Sequence, residues 1–353
     1  MIGARLKRAR DAAGMSLRDL EGAIGRQVSA QAIGKYERDE MMPGSTVLLA
    51  MADALSVRPD YLMGSADIQL AGVDFRKAPA AGAREEKTVE AVVLDQLERY
   101  LAMEDLIPGA EANWSAPQDV EFVIKCIEDA EAAADRLRAI WELGLDPIPS
   151  VADLLEEKGI KVIAVELPEQ VSGSKAFVQR AGHDDVPVIV VNKRHNAVRQ
   201  RFTLVHELAH LVLRCVGLTE AEEERAADRF AGAFLMARRM MERLLGKTRR
   251  FISIGELSDL QRLFKVSLLG LAVRCTQLGI LDKTSGGKLC GHLRKNGFDK
   301  PSAKEPNTFE SEVPRRLERL CLRAVGEGLC SASRAAEALR ISTRDFEQLQ
   351  AGI

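Results

Sequence analysis

The 353-residue sequence lacks several features that would each have indicated a class of protein. Its six cysteines show no C-x-x-C spacing, so neither a disulfide framework nor a cysteine-based metal site is predicted. No apolar run approaches the roughly 18 residues of a membrane span, and the first residues have no apolar signal-peptide core. We therefore expect a cytoplasmic protein without a membrane partner.

The sequence also lacks an excess of positive charge and has few histidines. Lys and Arg total 50 against 52 Asp and Glu, so nucleic-acid binding would need a local basic patch rather than a chain that is basic throughout. Apolar residues make up 46% of the chain, which is enough to build cores, and the length predicts two or three domains. With only five histidines available, two that lie close together are informative.

Two of these histidines lie in one apolar segment, Leu-Val-His-Glu-Leu-Ala-His-Leu-Val-Leu at 204–213. His206 and His210 are one helical turn apart, so both rings leave the same face and can bind one metal ion. Glu207 completes an H-E-x-x-H pattern, in which the glutamate is the general base for a metal-bound water. The alternative is a buried helix with three unpartnered polar groups, which desolvation disfavours. The segment therefore predicts a catalytic zinc site.

A catalytic zinc needs a third protein ligand, and the helix expected at 219–236 offers several carboxylates. Glu224 shares a helix face with small and apolar residues, which suits packing on the first metal-binding helix. Glu223 is the closest alternative as the third ligand. Asp228 supports Glu224 as the third ligand. It lies one helical turn after Glu224, where it can accept a hydrogen bond from a ligand histidine. The alternative explanation for these acids is a charged helix start that suits the helix dipole.

The combined pattern is His-Glu-Leu-Ala-His followed by Glu224-x-x-x-Asp228-x-Phe230-Ala231-x-x-Phe234-Leu235-Met236. It resembles the ImmA/IrrE family of zinc peptidases, whose helix pair is similar to that of gluzincins. The sequence departs from the family at Ala237, where a proline usually follows the methionine.

The resemblance implies a set of roles and a substrate class. His206, His210 and Glu224 would bind Zn²⁺, with Mn²⁺ as the second candidate metal; Glu207 would be the base and Asp228 would orient a ligand. The substrate would be a repressor or antitoxin protein cleaved under stress. Arg274 is a candidate for stabilising the oxyanion, but Val273 stands where relatives often have tyrosine, so we leave the oxyanion partner unassigned.

Residues 3–64 predict five short helices, with Ser16 and Ser29 as N-caps of the second and third. Two helices joined by the turn at 24–28 form a helix-turn-helix. The stretch resembles the XRE family of repressor-like domains through Leu6, Arg10, Gly14-Met-Ser-Leu, Leu20, Ile33, Tyr36-Glu-Arg, Pro43 and Ala52 to Leu55. Leu17 stands where the family often has glutamine.

The third helix carries the expected DNA contacts. Gln31 and Lys35 share its outer side and are the base-reading candidates, while Ser29 and Arg38 are expected to contact phosphate. The partner would be double-stranded DNA, bound by a homodimer if two half-sites are read. Basic groups gather on the first helix, although the overall charge of 1–64 is balanced, and a helical bundle used for protein contact is the alternative.

The remaining chain predicts a mainly α fold with a small β-sheet. We expect a helix-turn-helix domain at 1–65, a linker at 66–87, a gluzincin-like peptidase domain at 88–250 and a helical C-terminal region at 251–353. The peptidase part should have helices at 88–103 and 119–144 and strands at 160–166, 173–178 and 186–192. Residues 284–312 look loose, and 313–350 predict three short helices.

Three questions stay open at this point. The 172–178 segment is either an edge strand that pairs with an extended substrate or an ordinary inner strand. The leading function is a DNA-binding regulator fused to a zinc endopeptidase; the alternative is a DNA-binding repressor or antitoxin whose metal domain only senses or scaffolds. Self-cleavage in the 65–87 segment is a third reading.

Overall fold

A computed structural model describes residues 2–57, 59–63, 68–72, 83–299 and 305–352. Within these ranges the chain is mainly helical with a small mixed sheet, which confirms the predicted fold class. Two compact units are formed, Met1–Ala110, Ala176–Val186 and Leu317–Ile353 in the first, and Glu111–Lys175 and Pro187–Arg316 in the second. None of the described helices combines the length and low polarity that a membrane crossing requires.

The elements follow one another along the chain in this way. The helices are α1 Gly3–Ala12, α2 Leu17–Ala23, α3 Ala30–Glu37, α4 Ser45–Ala54, α5 Pro59–Met63, α6 Ala83–Glu104, α7 Asp129–Ile140, α8 Val151–Glu157, α9 Ala197–Val212, α10 Glu220–Leu235, α11 Arg238–Leu245, α12 Ile254–Phe264, α13 Leu268–Gln277, α14 Lys283–Lys295, α15 Arg316–Gly326, α16 Ala332–Leu339 and α17 Thr343–Ala351. The strands are β1 Ile68–Ala71, β2 Val123–Ile124, β3 Lys161–Val165, β4 Gly173–Arg180, β5 Val186–Asn192 and β6 Arg214–Cys215.

The first unit begins with the five expected helices, α1 to α5. Ser16 and Ser29 cap α2 and α3 as predicted, because their hydroxyls accept the backbone N–H of Asp19 and Ala32. Leu6, Leu20, Ile33, Tyr36 and Met51 form the centre of a small core with no side chain more than 4% exposed. This packing buries Ile33 and Tyr36 of α3 and leaves Gln31 and Lys35 exposed.

Helix α6 joins this bundle to the C-terminal helices of the same unit. Its Glu98 pairs with both Arg5 and Arg8 of α1. Helix α6 also contacts the C-terminal helices, where Asp95 pairs with Arg340 and Tyr100 shares a core with Phe346. The described part of the first unit is therefore one body built around α6, with β1 paired antiparallel to the end of β4 from Ile68↔Arg180 to Ala71↔Phe177.

The second unit is organised by α10, which packs against α9 and α7. The rings of Phe230 and Phe234 stack 5.7 Å apart, and Trp141 meets Phe234 edge-on at 5.8 Å. Strands β3 and β5 pair in parallel from Lys161↔Val188 to Val165↔Asn192. Their apolar side chains continue into the core beneath α9, so the predicted metal helix lies on a rigid support.

Two predicted segments were wrong in detail. The helix expected at 119–144 begins only at Asp129, because the Asp129 carboxylate accepts the backbone N–H of Lys125 (2.9 Å) and Cys126 (3.0 Å) and holds a turn there. The residues before it form a 3-10 turn, Val120–Phe122, and strand β2, which pairs with β6. The local side-chain cap overrode the helical spacing of the apolar residues.

The segment expected to be loose at 284–312 is largely ordered. Asp282 caps α14 by accepting the N–H groups of Thr284 and Ser285. Further on, the Glu312 carboxylate accepts the N–H groups of Val151 and Ala152 at the start of α8 and pairs with Arg201, whose side chain is 1% exposed. Removing one partner of such a buried pair typically costs about 3 to 5 kcal/mol. Glu312 therefore holds the chain after α14 against α8 and α9.

The predicted linker at 66–87 is described only in part. Residues 68–71 form β1 and 83–87 belong to α6, whereas 73–82 lie outside the described residues. The compact units group the chain differently from the sequence-based segments at 1–65, 88–250 and 251–353, and those boundaries stay predictions.

Candidate metal centre and DNA-facing helix

Helix α9 begins and ends at well-defined polar contacts. Asn196 caps its start by accepting the N–H of Arg199 at 3.0 Å. Near its end, Lys175 Nζ donates to the backbone oxygen of His210 at 2.7 Å, which satisfies a carbonyl that the helix itself leaves free. Both ends of the helix that carries the H-E-x-x-H pattern are thus held in place.

The nitrogen atoms of the two predicted histidine ligands converge on a carboxylate of α10. His206 Nε2 and His210 Nε2 lie 3.1 Å apart, and Glu224 oxygens lie 3.2 Å from His206 Nε2 and 3.6 Å from His210 Nε2. A tetrahedral zinc with bonds of about 2.0 to 2.1 Å separates its ligand atoms by about 3.3 Å. The donor set and its spacing therefore fit this ion.

Among the residues that the structure describes, His206, His210 and Glu224 are the group of three ligand side chains close enough to share one ion. Glu223, the rival third ligand, is not in that group; it instead lies near Cys215, whose pKa is raised first by burial and then by this carboxylate. The geometry favours Glu224 as the third ligand.

Asp228 contacts the first histidine from the other side of its ring. His206 Nδ1 donates to Asp228 Oδ1 at 2.9 Å, which leaves Nε2 directed toward Glu224. Burial favours the neutral ring, but the hydrogen bonds to Asp228 and Glu224 outweigh it and raise the pKa of His206 to about 9. The surroundings of His206 thus favour a positive charge, either a proton or a metal cation.

Glu207 faces a cleft beside this group rather than the group itself. The cleft has a volume of about 380 Å³ and is lined by both Glu207 and His206. Gly173, at the start of β4, lies against it, and a Cβ there would come within 2.6 Å of Thr203 Cγ2 and 3.7 Å of Glu207 Cγ. Glycine is therefore required for β4 to approach α9 this closely.

The 172–178 segment is inner at one end. Phe177 and Val178 pair with Ala71 and Leu70 of β1, so the expectation of an edge strand is wrong for these two residues. Ser172 and Gly173 line the cleft, which leaves the beginning of the segment as the part suited to contact an extended peptide.

Arg274 does not line this cleft, so the expectation that it could stabilise the oxyanion is wrong. Its side chain is fully buried, donates to both oxygens of Glu131 (2.8 and 2.6 Å) and donates through Nε to the backbone oxygen of Met236. Burial alone would raise the pKa of Glu131, but Arg274 and Arg229 lower it. Arg274 is a core residue that joins α13 to α7.

Several cleft residues were not predicted from the sequence. Arg199 and Phe202 lie on α9 before the motif, whereas Ser172 begins the 172–178 segment that was already a candidate for substrate contact. The spacing 199, 202, 206 is helical and would have placed the first two beside His206 if the pattern had been extended one further turn. The contact between Ser172 and Arg199 has no local sequence signal, because it depends on tertiary packing.

The predicted DNA contacts lie on α3 and at its ends. Ser29, Gln31, Lys35 and Arg38 are all exposed, whereas Ile33 and Tyr36 are buried as expected. The Ser29 hydroxyl already caps α3, and Arg38 Nε pairs with Glu40 Oε1 at 2.6 Å. Gln31 and Lys35 therefore present the less engaged polar groups of this helix.

The basic residues of α1 are less available than their number indicates. Arg5 and Arg8 pair with Glu98, and Arg10 pairs with Glu37 and Asp11. Three of the cations that the sequence gathers on this helix are thus neutralised by carboxylates of the chain itself.

Two known families match the regions of the chain that contain these residues. Residues 155–276 match the IrrE N-terminal-like domain, and residues 6–62 match the helix-turn-helix family. No curated protein and no solved structure matches the chain. The chain therefore carries an XRE-type helix-turn-helix DNA-binding domain at its N-terminus and an IrrE/ImmA-like domain of the metallopeptidase type in its C-terminal part.

Proposed function

We propose that the second unit is a zinc-dependent endopeptidase. His206, His210 and Glu224 would hold the metal, and Asp228 would orient His206. The observation that carries the proposal is the convergence of these three ligand side chains, with all their donor atoms within 4.8 Å of one another, next to a cleft lined by Glu207. Two imidazoles and one carboxylate suit zinc better than manganese, which favours oxygen-rich sites.

The chemistry divides between the metal and the chain. When bound, zinc polarises a carbonyl and lowers the pKa of a coordinated water to about 7. Glu207 accepts the proton of the attacking water, since it lines the cleft without belonging to the ligand group. Ser172 and Gly173 border the same cleft, where an extended substrate can lie beside β4.

The biological substrate that we propose is a repressor or antitoxin protein, cleaved in the cytoplasm under stress. The first unit would bring the chain to double-stranded DNA through Gln31 and Lys35, with Ser29 and Arg38 on phosphates. A homodimer would read a pseudo-palindrome, because helix-turn-helix proteins pair half-sites one turn apart.

The competing function is a DNA-binding repressor or antitoxin whose metal domain is a non-catalytic sensor or scaffold. Such a site needs its ligands but no base. The position of Glu207 in the cleft favours the peptidase, since a structural metal gives no reason for a carboxylate there.

The experiment that separates the two functions changes Glu207→Gln in the full chain. We expect cleavage of cellular target proteins to fall about 100-fold to 10,000-fold because the base is lost. Mass spectrometry of new N-termini measures this cleavage. Zinc content should survive, as it should in the matched control Glu223→Gln, which should also keep cleavage. If the Glu207→Gln chain regulates its target genes normally while the His206→Ala chain does not, and neither the wild type nor Glu207→Gln yields new N-termini, the metal domain is a sensor or scaffold.

A further inference from the structure

The cleft beside Glu207 contains an arginine that the proposed catalytic chemistry does not use. Arg199 lies on α9 two helical turns before His206, and both residues line the cleft. Among the lining residues that the structure describes, it is the only lysine or arginine, whereas Glu207, Asp228, Asp299 and Glu305 are acidic.

The side chain of Arg199 has no carboxylate in direct contact among the described residues. Its Nε and Nη2 both donate to the Ser172 hydroxyl, at 3.2 and 2.8 Å. That oxygen is neutral, and no carboxylate of the described chain lies within ion-pair distance of the guanidinium. Burial lowers the pKa of Arg199, while Glu169 opposes this only from a greater distance. A half-buried guanidinium with donors to spare is costly unless an anion completes it.

Part of the wall of the cleft that contains this cation is apolar. Val198 and Phe202 on α9, together with Leu269 and Phe298, line the same cleft. Such walls exclude water once a ligand enters, and an ion pair formed there is screened less than one at the open surface. Among the described lining residues the acidic groups repel an entering carboxylate, and Arg199 is the cationic side chain outside the metal-binding group that can attract it.

We propose that Arg199 selects substrates with an aspartate or glutamate side chain near the scissile bond. This inference rests on the proposed peptidase function and names its substrate class. Seven residues of helix separate Arg199 from His206, a rise of about 10 Å. An extended peptide covers that length in about three residues. The selected acid lies within about three residues of the bond that is cleaved.

The alternative is a purely structural role, in which Arg199 only holds Ser172 in place. That role predicts no difference between substrates that carry an acid and those that carry its amide. Discrimination between aspartate and asparagine in the same peptide therefore separates the two roles.

The test uses zinc-loaded full chain and a library of random decapeptides with acetylated and amidated ends, so that side chains supply the only carboxylates. Mass spectrometry of the cleavage sites should show aspartate or glutamate enriched within three residues of the bond. For one cleaved peptide, changing the acid to its amide should lower kcat/KM by about 10-fold or more. Arg199→Gln should bring the acid-to-amide ratio close to one, Arg199→Lys should retain part of it, and Arg199→Glu should shift the preference toward lysine.

A binding measurement keeps the two proposals apart. The same peptides, made fluorescent, are titrated with the Glu207→Gln chain, which should bind the acidic form more tightly than the amide form. Cleavage that depends on Glu207 but ignores the acid would overturn the Arg199 proposal and leave the peptidase intact. Acid-selective binding without any cleavage would support Arg199 and overturn the peptidase. Equal binding of both forms would overturn the role of Arg199, whatever the activity.

Discussion

The two functional helices, α9 and α3, present their polar residues in opposite ways. On α9, His206 and His210 point toward one carboxylate and are less than one fifth exposed, so the chain itself completes the site. On α3, Gln31 and Lys35 point into solvent, and only a partner can complete their contacts. A metal site can therefore be tested within the protein, whereas a DNA-reading surface can be tested only with DNA present.

The largest effect should come from removing one of the proposed metal ligands on α9. Changing His210→Ala should lower zinc affinity about 100-fold or more, since binding free energies of about 10 to 16 kcal/mol shared by four ligands leave about 3 kcal/mol for each. Metal analysis and competition with a chelator measure this loss. Glu224→Gln should weaken zinc more than Glu223→Gln does, and equal metal content in these two variants would disprove the third-ligand assignment.

Removing the support behind His206 should have a smaller effect. Asp228→Asn loses the charged partner of His206 Nδ1 and should weaken zinc about 10-fold to 100-fold. Its affinity is best measured at pH 9 or above, where protons no longer compete. Unchanged affinity there would show that Asp228 does not orient the ring.

The same hydrogen bonds predict the direction of the pH dependence. Because the pKa of His206 is raised to about 9, this ring is protonated below that pH in the metal-free chain and must lose its proton to bind metal. Zinc affinity should therefore rise about tenfold per pH unit up to about pH 9 and then level off. For the metal-free fold the sign is opposite: this group stabilises it fully below pH 6.5, and that stability is lost as the pH rises through about 9.

The sequence predicted those features of α9 and α3 that depend on contacts between residues close together in the chain. It did not predict the contacts between distant residues. His206 and His210 are one turn apart on α9, and Glu224 and Asp228 are one turn apart on α10, so periodicity alone placed the members of each pair on one helix face. The Ser172 contact to Arg199 joins residues 27 apart, and the Glu98 contact to Arg5 joins residues 93 apart. Periodicity carries no information on such pairs. The predicted start of α7 was wrong for a different reason. The Asp129 carboxylate holds a local turn at Lys125 and Cys126, so the helix begins later than the apolar spacing indicates.

The smallest effect should appear on the exposed helix. Lys35→Ala should weaken binding of operator DNA, and Gln31→Ala should relax its sequence preference, each by about 1 to 3 kcal/mol. Arg38→Ala should cost less than Lys35→Ala, since Glu40 already offsets its charge. Band-shift titrations against matched operator variants would measure these changes. An Arg38 effect larger than that of Lys35 would place the DNA-facing side of α3 differently.

The pairing of α6 with α1 has a consequence for how strongly salt controls DNA binding. Each phosphate that a protein cation neutralises releases condensed counterions and adds about 0.9 to the slope of log affinity against log salt concentration. Glu98 occupies Arg5 and Arg8 in the manner of an internal phosphate. The intact chain therefore has two fewer cations for counterion release than its composition indicates. Glu98→Gln should steepen that slope by up to about 2, so an ion pair between α6 and α1 would make DNA binding by this chain less sensitive to salt.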